Sequence, residues 1–529
     1  MEESIADYFN DRALFITGGT GFMGKVLIEK LLRSCPGINK IYILMRPSKQ
    51  GNLNERIQHI TSLSMFNRLR SERPGDIEKK LYPIEGDMKK LGLGISTEDR
   101  KLLTDNVSVI FHAAASVRFN DPLNEAILIN TRGTREVVKL AKELKNISVF
   151  VHVSTTYCNC YRKIVEETIY PAPFDWRHAI YTAENADFKT MNILTEKYLE
   201  PFPNSYVFAK NLTEQLLKDE CKNIPTVIFR PSIVIASVEE PVPGWMDTFY
   251  GPVGLILGIG KGVVRCVITR GDIRPDYMPV DISIKGMIVA AWKKGHLDSD
   301  KLTISVYNSS SGNKSITMNE LVNMGMKYCY KYPFTQSIWV PTIMFTTDKT
   351  CFYVNTIIKQ FIPAVVIDLW TRFTNKKSWY LVKLQRKIFQ AALALSHFTA
   401  KNWIFINNNF LELIKYIPPT DKKDFDFNFE NIKPEEYFCN AILGGHQYLL
   451  KTDLSMLPAV AAQQKKLDCW VMVFPSLSSS LHPRIRGSHT NFMSKFPPSR
   501  GPNNFLHFSL AEIRRCHFES ASSPWRFPL

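Results

Sequence analysis

The chain has 529 residues, 45% apolar and 22% charged; this globular balance excludes a fibrous or wholly disordered protein, and the length predicts two domains plus appendages. Its ten cysteines include no CxxC pair, Cys158 and Cys160 forming only a CxC, so neither a disulfide framework nor a zinc site is expected and reduced thiols are. A net charge of +16 favours phosphate-bearing partners or an anionic membrane surface over nucleic acid, since the Lys and Arg residues are dispersed and no helix-turn-helix, zinc-finger or RNP pattern occurs.

Met1 to Asn10 is polar and acidic and runs straight into a strand, leaving no room for a secretory signal. From Ala13 to about Ser154, short apolar strands alternate with helical patterns: Leu14-Phe15-Ile16, Ile41-Tyr42-Ile43-Leu44, Val107 to Phe111 and Val149 to Val153. Strands separated by helices require parallel crossovers, so the expected fold is α/β with a doubly wound parallel sheet. Val227-Ile228-Phe229-Arg230-Pro231, after a helix beginning near Tyr206, extends the sheet past residue 230.

Trp245 to Val264 is rich in Gly and large apolar residues, and core packing competes there with contact to an apolar ligand or lipid. After about residue 345 the pattern becomes aromatic, basic and amphipathic, including Leu381 to Leu395 and Glu435 to Leu450, which predicts a smaller helical module. Within it Phe361 to Trp370 is apolar, but Lys359, Asp368 and Pro363 interrupt it. It falls short of the roughly 20 residues that span a bilayer, so a buried helix or an interfacial contact is expected, with Arg372, Lys376 and Lys377 suited to an anionic surface. The expected organisation is a Rossmann body over 1–344, a helical module over 345–458, and an irregular, Ser-, Pro- and Lys/Arg-rich tail over 459–529 that reads as disordered.

Thr17-Gly18-Gly19-Thr20-Gly21-Phe22-Met23-Gly24 lies between the first strand and a helix over Lys25 to Leu32. Glycines at 18, 21 and 24 permit a tight turn, close backbone approach to a pyrophosphate and close helix packing, with the phosphates on the helix N-terminus. Strand before and helix after are the context a dinucleotide site demands. The second strand ends in Met45-Arg46-Pro47-Ser48-Lys49, where an NAD site would carry an acid for the ribose 2′-hydroxyl. Arg46 can pair with a 2′-phosphate, so NADPH is the expected cofactor. Asp87, in Gly86-Asp87-Met88, is placed near the adenine; Ala113 and Ala114, after the fourth strand, let the backbone approach the nicotinamide half. Asn130 is read as structural.

Tyr206 and Lys210 are four residues apart on a predicted helix and share a face. A fixed ammonium beside the phenol is expected to stabilise the phenolate and bring the group into a useful range for proton transfer. Thr155, with Ser154 as second choice, ends the strand Val149 to Val153, where open parallel sheets meet their ligands, and its hydroxyl can hold a substrate carbonyl oxygen as charge develops.

These elements together resemble the alcohol-forming fatty acyl-CoA reductases, extended short-chain dehydrogenases with a male-sterility-type C-terminal module. The resemblance runs from about Phe9 to Pro458. It is carried by the glycine turn with Lys25 to Pro36, by Ile41 to Pro47, Val151-His152-Val153-Ser154-Thr155, Tyr206 to Lys210, Phe229 to Val234 and Pro279-Val280-Asp281, and, in the helical module, by Leu381 to Ile388 and Tyr448 to Lys451. It implies two successive NADPH-dependent reductions of a long-chain acyl-CoA thioester through a hemithioacetal and an aldehyde, yielding fatty alcohol and free CoA. In that chemistry Thr155 and Tyr206 hold the oxygen, Tyr206 supplies a proton and Lys210 fixes the nicotinamide ribose. It also implies peripheral membrane association on the cytosolic face of peroxisomes or endoplasmic reticulum. Two departures stand out: Ile282-Ser283-Ile284-Lys285, where relatives carry a more apolar stretch ending in Asn, and the tail after Pro458, where relatives often continue with a basic and then apolar membrane segment. Lys261 and Arg265 are read as solvated cations, with CoA phosphates as the alternative partner. The competing activities are another extended dehydrogenase, acting on a sterol or a nucleotide sugar, and a non-catalytic NADP-binding sensor; the helical module opposes the first and the intact Tyr206–Lys210 pair the second.

Overall fold

In the computed structural model, residues 4–47, 52–249, 251–298, 300, 302–335, 337–374 and 380–461 are described. Seven parallel strands form the main sheet: β1 (Ala13–Thr17), β2 (Lys40–Met45), β3 (Leu81–Glu85), β4 (Val107–His112), β5 (Val149–Val153), β6 (Thr226–Pro231) and β7 (Ser305–Ser309), in spatial order 7-6-5-4-1-2-3. The order reverses between β1 and β4, which opens a crevice at their carboxyl ends.

The strands read as near-continuous apolar runs because both sheet faces are covered. Alternate residues serve opposite cores: Leu14, Ile16, Ile43, Val109, Phe111 and Val151 join one, Phe15, Tyr42, Leu44, Ile110 and Phe150 the other. The first core is closed by helix α1 (Phe22–Ser34) and the helix Val280–Trp292. The second is closed by Gly133–Glu143 and by α2 (Ser205–Glu220), whose Val207, Leu212 and Leu216 are fully buried. Most of Trp245 to Val264 goes to core packing: Trp245, Met246, Ile256 and Leu257 are buried, and a third core gathers the helices Pro252–Gly260, Met318–Lys331 and Pro434–Gly444, whereas Phe249 is exposed and Tyr250 lies outside the described residues.

Three expectations about individual residues are not met. Pro363 does not end its helix; residues Lys349–Phe373 form one helical run, with a π turn at Ile357–Phe361 just before the proline. A proline removes the donor for the carbonyl four residues back, here Lys359. The Arg265 guanidinium supplies it instead, donating to that carbonyl at 3.2 Å while resting on the Trp339 ring. Arg265 is thus not a solvated cation, and neither is Lys261, whose ammonium donates to the Thr335 carbonyl and is pulled down to about 8 by burial. Asp368 is no interruption either: its carboxylate accepts from the Leu381 and Val382 amides at 3.0 Å, capping the helix Leu381–Thr399.

Ile282 to Lys285 lies within the wholly buried helix Val280–Trp292, where Lys285 pairs with Glu240 at 3.6 Å. The expected disordered tail lies outside the described residues from 462 onward, as do Ser48, Lys49, Lys376 and Lys377.

Candidate active site

The glycine turn joins β1 to α1 at the crevice. Gly18 has φ +76°, and a β-carbon on it would lie 2.7 Å from the Ala113 carbonyl carbon; one on Gly24 would lie 2.2 Å from the Gly18 oxygen. Only glycine permits the turn, the wall formed by β4 and the first turn of α1 to approach this closely. Gly21 caps α1 with no side-chain hydrogen bond, whereas α2 is capped by the Asn204 side chain. Gly21 thus brings no side chain to the first amides of α1, and an N-terminus of this kind suits a phosphate. The residues fit a dinucleotide.

A directed hydrogen-bond chain holds the wall opposite. The Ala114 amide donates to Thr17 Oγ1 (3.1 Å), Thr17 Oγ1 meets His112 Nδ1 (2.6 Å), His112 Nε2 meets Thr134 Oγ1 (2.8 Å), and Thr134 donates to the Asn130 carbonyl (2.6 Å). Because Thr134 spends its proton on Asn130, His112 Nε2 must donate to it. Nδ1 then accepts from Thr17, a neutral tautomer consistent with burial holding the imidazolium pKa down to about 3. Asn130 also clamps the Ser116 backbone through both its amide atoms, so the expectation of a structural role matches its contacts.

Arg46 is exposed at the end of β2. The Arg56 guanidinium, from the helix Leu53–Thr61, donates to the Arg46 carbonyl and brings a second cation there that sequence reasoning missed. Asp87 is half-buried at the end of β3, where its carboxylate accepts from the Lys89 amide at 2.9 Å. Ala113 and Ala114 are half-buried at the end of β4, facing the turn.

At the end of β5 the two candidate hydroxyls part ways. Ser154 donates to Glu214 Oε1 at 2.6 Å, and Glu214 is held by Arg230 through two short contacts, all fully buried. That hydroxyl is consumed by the core. Thr155 Oγ1 accepts from the Tyr157 amide at 3.2 Å and keeps its proton for another acceptor. Helix α2 is tied to this strand end by Lys210 Nζ, which donates to the Val153 carbonyl at 2.7 Å, and by Asn211, which donates to Asn159 at 2.8 Å.

The expected lowering of the Tyr206 phenol by Lys210 is not found. Burial raises the phenol, with the Cys158 thiol adding to the rise, and the Lys210 ammonium is engaged with Val153. Burial also brings Lys210 itself down to about 8. A raised phenol stays protonated at neutral pH, which is the state a proton donor requires. Phe119 packs on Tyr206 at 5.7 Å and Phe398, from the helix Leu381–Thr399, packs on Phe119 at 5.3 Å. No local pattern marks these two rings, because Phe119 and Phe398 come from segments far from Tyr206 in the chain.

Comparison with known proteins agrees with this architecture. Two profiles, each described as "Male sterility protein", match residues 16–287 and 359–452. "Fatty acyl-CoA reductase 1" of Rattus norvegicus is 36% identical over 465 residues, covering 88% of this chain and 90% of that protein. "Fatty acyl-CoA reductase wat" of Drosophila melanogaster is 32% identical over 466 residues, covering 88% and 89%. Among solved structures, the reductase domain of a nonribosomal peptide synthetase from Mycobacterium tuberculosis shares the fold, with a TM-score of 0.55 at 15% identity, covering 85% of this chain and 96% of that one. Both halves of the chain, the nucleotide-binding sheet and the helices that close over it, thus have their counterparts in one group of proteins, and the chain belongs to the fatty acyl-CoA reductase family.

Proposed function

We propose that the protein reduces long-chain fatty acyl-CoA to fatty alcohol with two equivalents of NADPH and release of CoA, using a reductase body over residues 1–344 and a helical module over 345–458. The observation that carries the reading is that one carboxyl edge of the sheet bears, on either side of β4, an uncapped glycine turn after β1 and the Thr155 hydroxyl after β5, to which Lys210 ties the helix carrying Tyr206.

When bound, NADPH supplies hydride to the carbonyl carbon. The turn Thr17 to Gly24 holds its pyrophosphate, Arg46 with Arg56 favours a 2′-phosphate over a bare hydroxyl, Asp87 borders the adenine, and Ala113 and Ala114 form the wall at the nicotinamide half. The Thr155 proton is directed to the substrate oxygen as negative charge develops. Tyr206 delivers a proton to the substrate oxygen after each hydride addition, giving first a hemithioacetal, whose C–S bond breaks as its hydroxyl proton passes to the departing CoA sulfur to leave the aldehyde, and then the alcohol; Lys210 holds the ribose and the local positive charge. Phe119 and Phe398 exclude water beside Tyr206, which favours retention of the aldehyde for the second reduction. Peripheral association with the cytosolic face of a peroxisomal or reticular membrane belongs to the same reading, supported by the +16 charge and the long apolar helix Lys349–Phe373.

The test is product analysis by mass spectrometry after incubating purified protein with NADPH and acyl-CoAs of several lengths, with sterols and UDP-sugars in parallel. Fatty alcohol and free CoA are expected, with two NADPH oxidised per alcohol. Cofactor oxidation with a sterol or nucleotide sugar and none with any acyl-CoA rejects the assignment.

A further inference from the structure

Along Lys349–Phe373 the side chains divide into two rows. Phe352, Thr356, Gln360 and Ala364, each four residues on from the last, are buried against the protein, as is Thr371. Val354, Ile358, Ile362, Val366 and Trp370 repeat at the same spacing two residues later and end at Phe373. These are 48%, 51%, 52%, 60%, 69% and 86% exposed. Two residues turn a helix by about 200°, so the rows lie on opposite sides, and the outward one is apolar for about 28 Å. The apolar side of this helix faces away from the core, while its inward side carries the amides and hydroxyls.

We propose that this outward row is a membrane-docking face that lies in the plane of an anionic bilayer; the inference rests on the peripheral association proposed above and names the surface responsible. Three observations identify a lipid surface as the occupant. First, the helices Lys349–Phe373 and Leu381–Thr399, the second capped by Asp368, together carry six Lys or Arg residues against Asp368 as their single acid. Lys349 and Arg372 are exposed at the two ends of the apolar row and Lys383, Arg386 and Lys387 are exposed on the neighbouring helix, a pairing of apolar face and basic charge that suits an interfacial helix. Second, the row ends in Trp370 and Phe373, large rings suited to the headgroup boundary. Third, the inward row is fixed: Phe352 and Phe361 pack on Phe389 at 5.8 and 6.1 Å, and the Lys359 carbonyl is held by Arg265. A spanning helix would expose this row, with Gln360 at its middle, to hydrocarbon, so the helix lies on the bilayer instead of crossing it.

The same hairpin connects the membrane to the chemistry. Phe389, which receives the docking helix, and Phe398, which reaches Phe119 beside Tyr206, are nine residues apart on one helix, about 14 Å. A long acyl chain leaving the bilayer has this apolar helix to follow toward the active site.

The experiment uses the full chain with vesicles of phosphatidylcholine, with and without phosphatidylserine. Wild type is expected to co-sediment with the anionic vesicles, and Val366→Glu with Trp370→Glu to weaken binding about tenfold or more. The milder pair Val366→Ser with Trp370→Ser guards against misfolding. Both are expected to keep NADPH binding and turnover of a water-soluble short-chain acyl-CoA, and to lose turnover of a long chain supplied in vesicles. An environment-sensitive fluorescent amino acid in place of Ile358 or Trp370, quenched by lipids brominated at graded depths, is expected to report one shallow depth for both positions. A difference approaching the 18 Å or so between them along the axis means spanning and overturns the proposal. Equal vesicle binding by wild type and both variants overturns it while leaving membrane association intact, and no binding by wild type removes both. A change of oligomeric state without a change in vesicle affinity assigns the face to a second copy of the chain and overturns it too.

Discussion

At the carboxyl edge of the sheet, a set of buried polar groups is paired: Ser154 on Glu214, Glu214 on Arg230, Thr17 on His112, Lys210 on Val153. Along Lys349–Phe373 the distribution is inverted, with large apolar side chains outside and Gln360 inside. Burying a large apolar side chain completely is worth about 1.5–3 kcal/mol, so six of them left from about half to mostly exposed forgo on the order of 5–10 kcal/mol, comparable with the whole stability of many domains. The first region spends its polar groups on rigidity, because chemistry needs atoms held in place; the second leaves apolar area uncovered, which water alone does not favour. The difference separates a site for reaction from a surface for contact.

The comparison can be broken first at Tyr206. Tyr206→Phe removes the proposed proton donor and is expected to lower kcat for alcohol formation about 10²- to 10⁴-fold, with NADPH affinity by fluorescence titration unchanged within about threefold. Retained activity detaches the phenol from the chemistry. Glu214→Gln leaves the Arg230 charge buried and unpaired, an expected loss of about 3–5 kcal/mol in denaturant unfolding. A loss under 1 kcal/mol or so means that the edge of the sheet is less rigid than its contacts imply.

A finer division runs between neighbouring hydroxyls. Thr155→Val is expected to lower kcat about 10- to 100-fold, whereas Ser154→Ala is expected to cost about 1–2 kcal/mol of stability and little activity, because its hydroxyl already serves Glu214. The reverse pattern exchanges their roles. Arg46→Ala is expected to raise the KM for NADPH about tenfold and to leave that for NADH nearly unchanged, since only one of the two carries the 2′-phosphate.

The smallest effect is one of pH. With Lys210 at about 8 instead of its ordinary 10.5, the ammonium is present below that value and lost above it, so kcat/KM is expected to fall on the alkaline side with an apparent pKa near 8. The stability contribution of this group has the opposite sign. The unfolded chain binds the proton more tightly, so between about 8 and 10.5 the folded state gains as pH rises. Activity and stability should diverge in that window, and a parallel decline in both traces the activity loss to unfolding.

Much of the sheet and of the cofactor turn was legible in the residues alone. Leu14 to Ile16, Ile41 to Leu44 and Val149 to Val153 are short apolar runs that suit strands covered on both faces, and Gly18 and Gly24 mark backbone approaches that no β-carbon survives. The four-residue interval from Tyr206 to Lys210 needs only a helix to put both on one face. Such signals are local, so the chain carries them before it folds.

What tertiary structure decided depends on residues far apart in the chain. Glu214 and Arg230 withdraw Ser154 and leave Thr155 as the uncommitted hydroxyl. Arg265 replaces the donor that Pro363 lacks and lets a helix continue where local rules end it; Asp368 caps a neighbouring helix instead of breaking its own. Burial, which no sequence window reports, raises the Tyr206 phenol that an adjacent lysine was expected to lower. Which side of Lys349–Phe373 meets the protein is likewise set by Phe389 and Arg265, because an apolar helix has no preferred face until a partner takes one side of it.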